Sequence, residues 1–201
     1  MIQAPDLMIT ERFQILAVAA WLAVVPACAV FAAGFDLNAL MALLADHPQG
    51  RVGFVETRYL ALLDRPIAAR GELVYLPPDR LERHTQVPRQ ESAILAGDTL
   101  TLIHDGRRRE LSLSEHPEVA LLIGSLRAVL GGDRDALERD FSLNHAGTPE
   151  AWILDLLPRD PEALPMLRRI HLVGRGGQVE LVETIETDGD RSVIEIGDKR
   201  P

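Results

Sequence analysis

Residue types able to do chemistry are present in this chain, but their spacing does not assemble them. Six histidines, at positions 47, 84, 104, 116, 145 and 171, never stand at metal-ligand spacing from one another, so no metal site is expected. Ser125 lies in Gly124-Ser125-Leu126 inside a helical pattern and lacks the strand-to-helix elbow that exposes a hydrolase nucleophile. Gly174-Arg175-Gly176-Gly177 joins two strand patterns, whereas a phosphate-cradling loop needs a helix behind it. Cys28 is the only cysteine and falls in an apolar leader, which excludes an internal disulfide or thiolate metal site in the rest of the chain. No catalytic constellation survives, so the chain is read as a non-enzyme with no cofactor.

Charge narrows the partners further. A net charge of −9 does not suit nucleic acid, which needs a basic face. The one basic run, Arg107 to Arg109, is flanked by Asp105, Gly106 and Glu110 and reads as a hairpin tip. What remains is apolar chemistry. Phe54, Leu73, Leu100, Leu102, Trp152, Leu154 and Leu156 recur at alternate positions of strand-like segments, which places them on one face of a sheet, as ordinary core or as the lining of a cavity.

The elements that would position these residues follow from patterning. Residues 13–33 carry no charge, come after Glu11 and Arg12, and end in the small-residue stretch Ala27-Cys28-Ala29-Val30-Phe31-Ala32-Ala33, the layout of a signal peptide. Cleavage after Ala29 or Ala32 satisfies the small-residue requirement, and the second frees the helix that follows. The same run is long enough to stay as a membrane anchor, and Val25-Pro26-Ala27-Cys28 faintly resembles a lipidation site at Cys28. The expected organisation is therefore a signal peptide over 1–33 and a single domain over 34–201; at 47% hydrophobic content, 201 residues suffice for one well-buried core.

In that domain Asp36 caps a helix to about Asp46, with Leu37, Leu40, Met41, Leu43 and Leu44 at helical spacing. Strand patterns follow at 52–63, 68–76, 80–87, 91–95, 99–104 and 109–113, separated by turn residues such as Pro77-Pro78-Asp79 and Ala96-Gly97-Asp98. Helices are expected over 117–130, ended by Gly131-Gly132, and from the Asp133 cap to Phe141; strands at 141–146, 151–158, 167–173, 179–187 and 192–196 close the chain. About eleven antiparallel strands cannot stay flat, so the sheet should curl, with the helices plugging its concave side. The fold class is α+β.

The segment Gly71-Glu72-Leu73-Val74-Tyr75-Leu76-Pro77-Pro78-Asp79-Arg80-Leu81 resembles the signature of the LolA-like periplasmic outer-membrane lipoprotein carriers, matching at Gly71, Leu73, Pro78, Arg80 and Leu81. Phe54 with Glu56, Thr57 and Arg58 is similar to that family's first strand, Gly97-Asp98-Thr99-Leu100 to a later turn, and the element order agrees over roughly residues 35–197. The family's aromatic residue after the arginine is here Arg83, and the chain looks closest to a divergent branch, some members of which accompany export and polyene-lipid synthesis systems. The resemblance implies an incomplete, strongly curved barrel with a helical lid over an apolar cavity, lined here by Phe54, Leu73, Leu81, Leu100, Leu102, Trp152, Leu154 and Leu156, with Arg80 as the latch that hydrogen-bonds to the lid. It implies a monomeric periplasmic carrier and chaperone that accepts acyl chains of a lipoprotein or lipid from an inner-membrane export complex and passes them to an outer-membrane acceptor. A non-transporting envelope sensor or adaptor of the same fold is the alternative, and an enzyme acting on a hydrophobic intermediate a more distant one.

Such a task makes physical sense without a nucleophile. Each methylene exposed to water costs about 0.8 kcal/mol, so covering on the order of ten offers a gross ~8 kcal/mol, near micromolar affinity before ordering costs.

Overall fold

The computed structural model describes residues 34–47, 50–162 and 164–197, with Glu118 described by its backbone alone. The leader, both cleavage positions and Cys28 lie outside the described residues.

Helix α1 (Leu37–Asp46) starts where Asp36 accepts a 2.8 Å hydrogen bond from the Ala39 amide, which satisfies one of the orphan donors of the first turn. Its inward stripe buries Leu40, Met41 and Leu44. Six strands follow as a meander: β1 (Arg51–Tyr59), β2 (Ile67–Leu76), β3 (Arg80–Val87), β4 (Glu91–Ala96), β5 (Thr99–His104) and β6 (Arg107–Ser112). After one 3₁₀ turn come helices α2 (Pro117–Gly131) and α3 (Arg134–Asp140). A second meander ends the domain: β7 (Phe141–Thr148), β8 (Ala151–Pro158), β9 (Leu167–Arg175), β10 (Gln178–Glu186) and β11 (Arg191–Ile196).

All eleven strands form one antiparallel sheet in the order β6-β5-β4-β3-β2-β1-β11-β10-β9-β8-β7. The two meanders are joined by β1 and β11, in register from Phe54↔Ile196 to Tyr59↔Arg191. The sheet stays unclosed: β6 and β7 are its two edges, and the chain crosses from one to the other through α2 and α3. A connection between the edges of a curled sheet must pass over its open side, and this carries α2 across the concave face. The free β6 edge is exposed along Arg107 to Glu110, and charges of this kind discourage pairing with another chain.

Helix ends depend on a few local choices. Pro117 opens α2, and Gly132 ends it in the left-handed region at φ +65°. A Cβ at Gly132 would lie 2.1 Å from the Met41 carbonyl oxygen and 2.9 Å from Ala45 Cβ, so glycine also permits the close approach of α1. Asp133 caps α3 through the Ala136 amide at 2.9 Å.

Several boundaries shift from the sequence reading, β7 and β9 among them, and two shifts have a clear local cause. The strand expected to reach residue 63 ends at Tyr59, and the chain turns where Leu63 N donates to Leu60 O and Ala61 N to Asp190 Oδ1. The run Leu60-Ala61-Leu62-Leu63 is apolar but leaves the ladder, and Leu62 is 97% exposed. β6 begins at Arg107 rather than 109, because Asp105 (φ +47°) and Gly106 (φ +72°) confine the turn to two residues; Leu113 then leaves the sheet for the 3₁₀ turn.

The core lies between α1, α2, α3 and the concave face of the second meander, uniting Leu40, Leu44, Val129, Leu137 and Phe141 with Trp152, Leu154, Leu156, Ile170 and Leu172. Trp152 is fixed at its polar end by donating Nε1–H to Gly176 O at 2.8 Å, and its ring lies where a Cβ on Gly174 would come within 2.1 Å of it.

Candidate ligand cavity

In an antiparallel sheet, register partners point to the same face. Two cross-strand rows of the first meander therefore face the concave side together: Tyr75, Leu81, Leu95 and Leu100, and beside it Val52, Leu73, Arg83, Ala93 and Leu102. Opposite them stand Leu156, Ile170, Leu172, Val182, Ile194 and Ile196 of the second meander. Helix α2 lies over both and adds Leu122, Ile123, Leu126, Val129 and Leu130. Between sheet and helix a cavity of about 360 Å³ remains. Sites for small ligands run from about 300 to 1,000 Å³, so the space suits one chain-like molecule. Leu122 and Leu126, one helical turn apart, line it while staying 42% and 41% exposed, which marks the side where the cavity meets solvent.

Of the residues expected to line a cavity, Leu73, Leu81, Leu100 and Leu156 do so. Trp152 and Leu154 share the concave face but are sealed in the core among α1 and β9, at 1% and 0% exposure. Leu102 sits half-buried between its register partners Ala93 and Arg109, outside the lining. Phe54 is buried as well, and its ring is covered by the Arg83 guanidinium, whose Cζ lies 4.5 Å from the ring centroid.

That guanidinium belongs to a polar cluster at one end of the apolar cavity. Arg83 lines the cavity and donates an Nη2–H to Glu56 Oε2 at 2.5 Å, with Nε directed at Thr85 Oγ1 at 3.4 Å. Ser192 donates to the other carboxylate oxygen at 2.7 Å, and its register partner Thr184 also lines the cavity. Glu56 is buried; burial pushes its carboxyl up, but the hydrogen bonds from Ser192 and Arg83 and the positive charges of Arg83 and Arg58 outweigh this and hold it below the usual carboxylate range. The pair is thus a neutral but strongly dipolar patch in a wall of Leu, Ile and Val.

The expected latch residue faces the other way. Arg80 alternates with Leu81 and Arg83, which places it on the outer face, where it bonds Glu82 at 2.6 Å beside His84, which bonds the same carboxylate at 2.7 Å. The cross-link between helix and sheet comes instead from Arg127 of α2. It donates to the carbonyls of Asp79 at 2.9 Å and Gly97 at 2.5 Å, in the β2–β3 and β4–β5 turns. Its Nε is buried with no partner among the described residues, which opposes the closed position by about 1–3 kcal/mol.

Sequence reasoning assigned no site role to either Arg127 or Glu56, although Glu56 belongs to the first-strand resemblance. Glu56 had a signal: it shares parity with Val52 and Phe54 on β1, a carboxylate on the inward side of an otherwise apolar strand. Arg83 was visible as a cation in place of an aromatic residue, two positions from Leu81. Arg127 had none, because an arginine late in a helix is ordinary on a solvated face.

A family model described as outer membrane lipoprotein carrier protein LolA-like matches residues 29–197. The chain belongs to this family. Among solved structures, this LolA-like chain is similar to a LolA superfamily protein from Nitrosomonas europaea at 13% identity and TM-score 0.43, covering 81% of this chain and 91% of that one. A putative outer membrane lipoprotein-sorting protein domain from Vibrio parahaemolyticus is 10% identical, with TM-score 0.43 and coverage of 83% and 91%. MucB, solved in complex with MucA from Pseudomonas aeruginosa, is 12% identical with TM-score 0.43; the match covers 83% of this chain and 59% of that one. No curated protein matches the chain. Among the described residues of this family member, no helix is long and apolar enough to cross a membrane.

Proposed function

We propose that this LolA-like protein is a periplasmic carrier that holds an acyl chain of a lipoprotein or lipid in the cavity beneath α2, accepting it from an inner-membrane export complex and releasing it to an outer-membrane acceptor. The observation that carries the reading is the cavity itself: an apolar space of about 360 Å³ walled by Leu73, Leu81, Leu100, Leu156, Ile170 and Ile194 and opening beside two half-exposed leucines of the covering helix. A stored methylene there gains about 0.8 kcal/mol over water, and no covalent step is required. The Arg127 tether supplies the lid restraint in this reading. Two bonds to backbone carbonyls from a charged donor contribute at most a few kcal/mol, and the unpartnered Nε subtracts from that, so cargo or a partner can displace the helix.

The test is native mass spectrometry of protein purified gently from the periplasm of a Gram-negative host, compared with Leu100→Trp, which fills the cavity from β5. Acyl-bearing molecules on the wild type, reduced about tenfold or more in the variant, support the carrier. Ligand-free wild-type protein that also takes up no added fatty amphiphile would sink it.

A further inference from the structure

Resting on the carrier reading, we infer that the cluster of Arg83, Glu56 and Ser192 selects the cargo: it recognises the neutral carbonyl of an ester- or amide-linked acyl group, in preference to a free carboxylate or a bare hydrocarbon.

The inference starts from an imbalance in the cavity wall. Nearly all of its lining is hydrocarbon, yet Arg83 stands in that wall beside Glu82, its guanidinium held between the Phe54 ring and Glu56. A chain that covered this end with methylenes alone would strip water from a charged donor and return no hydrogen bond. A ligand with an acceptor at the right end restores that bond. Arg83 carries five N–H donors, and the bonds to Glu56 and Thr85 use two of them, so donor capacity remains for an oxygen in the cavity.

Charge then decides which oxygen. Glu56 is ionised, and both of its oxygens are occupied, one by Arg83 and the other by Ser192. The Arg83–Glu56 pair is already neutral. A ligand carboxylate would compete with Glu56 for Arg83, its own partner, and set a second carboxylate beside the first; a carbonyl accepts from the remaining N–H groups of Arg83 at no such cost. Thr184, beside Ser192 on the cavity wall, adds a hydroxyl at the same end. The cluster thus reads the linkage of the chain while the leucines hold its length.

The experiment offers the purified protein an equimolar mixture of methyl palmitate, palmitic acid and hexadecane and measures retention of each by native mass spectrometry. The comparison is with the double variant Arg83→Leu/Glu56→Leu, which removes both charges so that neither is left buried alone. The wild type should retain the ester about tenfold over hexadecane and over the acid, and the double variant should hold ester and hexadecane alike. Equal retention of ester and hexadecane by the wild type would overturn the inference and leave the carrier reading intact, and so would preference for the acid. Binding of none of the three would overturn the carrier reading itself. Should circular dichroism show the double variant unfolded, Arg83→Lys serves instead: it keeps the charge but loses the planar donor fork, and an undiminished ester preference there would also count against recognition by the guanidinium.

Discussion

The two halves of this sheet carry the same kind of inward residue at the same period and treat it differently. On β8, Trp152 and Leu154 are closed off almost completely within the core that α1, α2 and α3 share, while Leu156 and Leu172, just as deeply buried, already turn a side to the cavity. On β2 to β5, Leu73, Leu81, Ala93 and Leu100 stay half-buried, because α2 alone passes over them and leaves a cavity. The difference lies in how many helices each meander receives. Among the described residues, three short helices cannot fill the concavity of eleven strands, and the chain places two of them on one side. One half is then a rigid foundation, and the other can afford empty space. Close packing confers stability, and the unfilled face supplies room for a guest.

The largest effect expected from breaking this division is on the packed half. Leu154→Ala should lower unfolding free energy by about 2–5 kcal/mol in urea titrations, the usual cost of a cavity in a closed core. Leu100→Ala, with identical chemistry, enlarges a space that already exists and should cost only about 1–2 kcal/mol. Equal losses at the two sites would mean that the first meander is as tightly packed as the second.

A smaller effect belongs to the seam between the halves, where Glu56 on β1 bonds Ser192 on β11 and Arg83 on β3. Its carboxyl sits below the usual range in the folded chain, so the stabilisation is present above the unfolded carboxylate value and is lost as pH falls through the lower, folded one. Acid unfolding followed by fluorescence should show wild-type stability declining below about pH 4.5, the ordinary glutamate value, while Glu56→Gln, weaker by about 1–3 kcal/mol at neutral pH, declines less steeply. Parallel curves would remove Glu56 from the acid response.

The tether sets a third level. Arg127→Ala should cost about 1–3 kcal/mol at most and act locally, raising amide hydrogen exchange along α2 while β8 and β9 keep their protection. Faster exchange spread evenly over the chain would show that α2 does not move apart from the rest.

Much of this division was legible in the sequence, for definable reasons. Strong punctuation fixed the elements: Asp36 and Asp133 as caps, Gly131-Gly132 as a stop, Pro77-Pro78-Asp79 and Asp105-Gly106 as turns, and the alternation Thr99-Leu100-Thr101-Leu102 as a strand. Alternation also placed the expected lining residues on the concave face. It could not say which of them a helix covers, since that depends on where α1 and α3 rest, and Leu154 and Leu100 look alike to any local pattern. The joining of β1 to β11 is a pairing between the first and last strands, and no local signal announces such a contact. The run 60–63 misled because apolar residues in a turn look like a strand's continuation.

The smallest expected effect concerns the residue that sequence resemblance made most prominent. The family signature draws attention to Arg80, but parity is decisive on a strand: the Leu81 and Arg83 side chains face the cavity, and Arg80, which is not in its wall, pairs with Glu82, whose carboxylate also bonds His84. Its own side chain is 43% exposed, so although Glu82 is only 12% exposed the ion pair stays partly solvated and contributes about 0–1 kcal/mol. Arg80→Ala should therefore leave α2 exchange unchanged and stability within about 0.5 kcal/mol, in contrast to Arg127→Ala. If Arg80→Ala instead loosens α2 as much as Arg127→Ala does, the restraint on the helix reaches through the β2–β3 turn, whose Asp79 carbonyl Arg127 holds and whose next residue is Arg80. The two arginines would then act as one latch, one of them holding the turn from outside and the other gripping it from the lid.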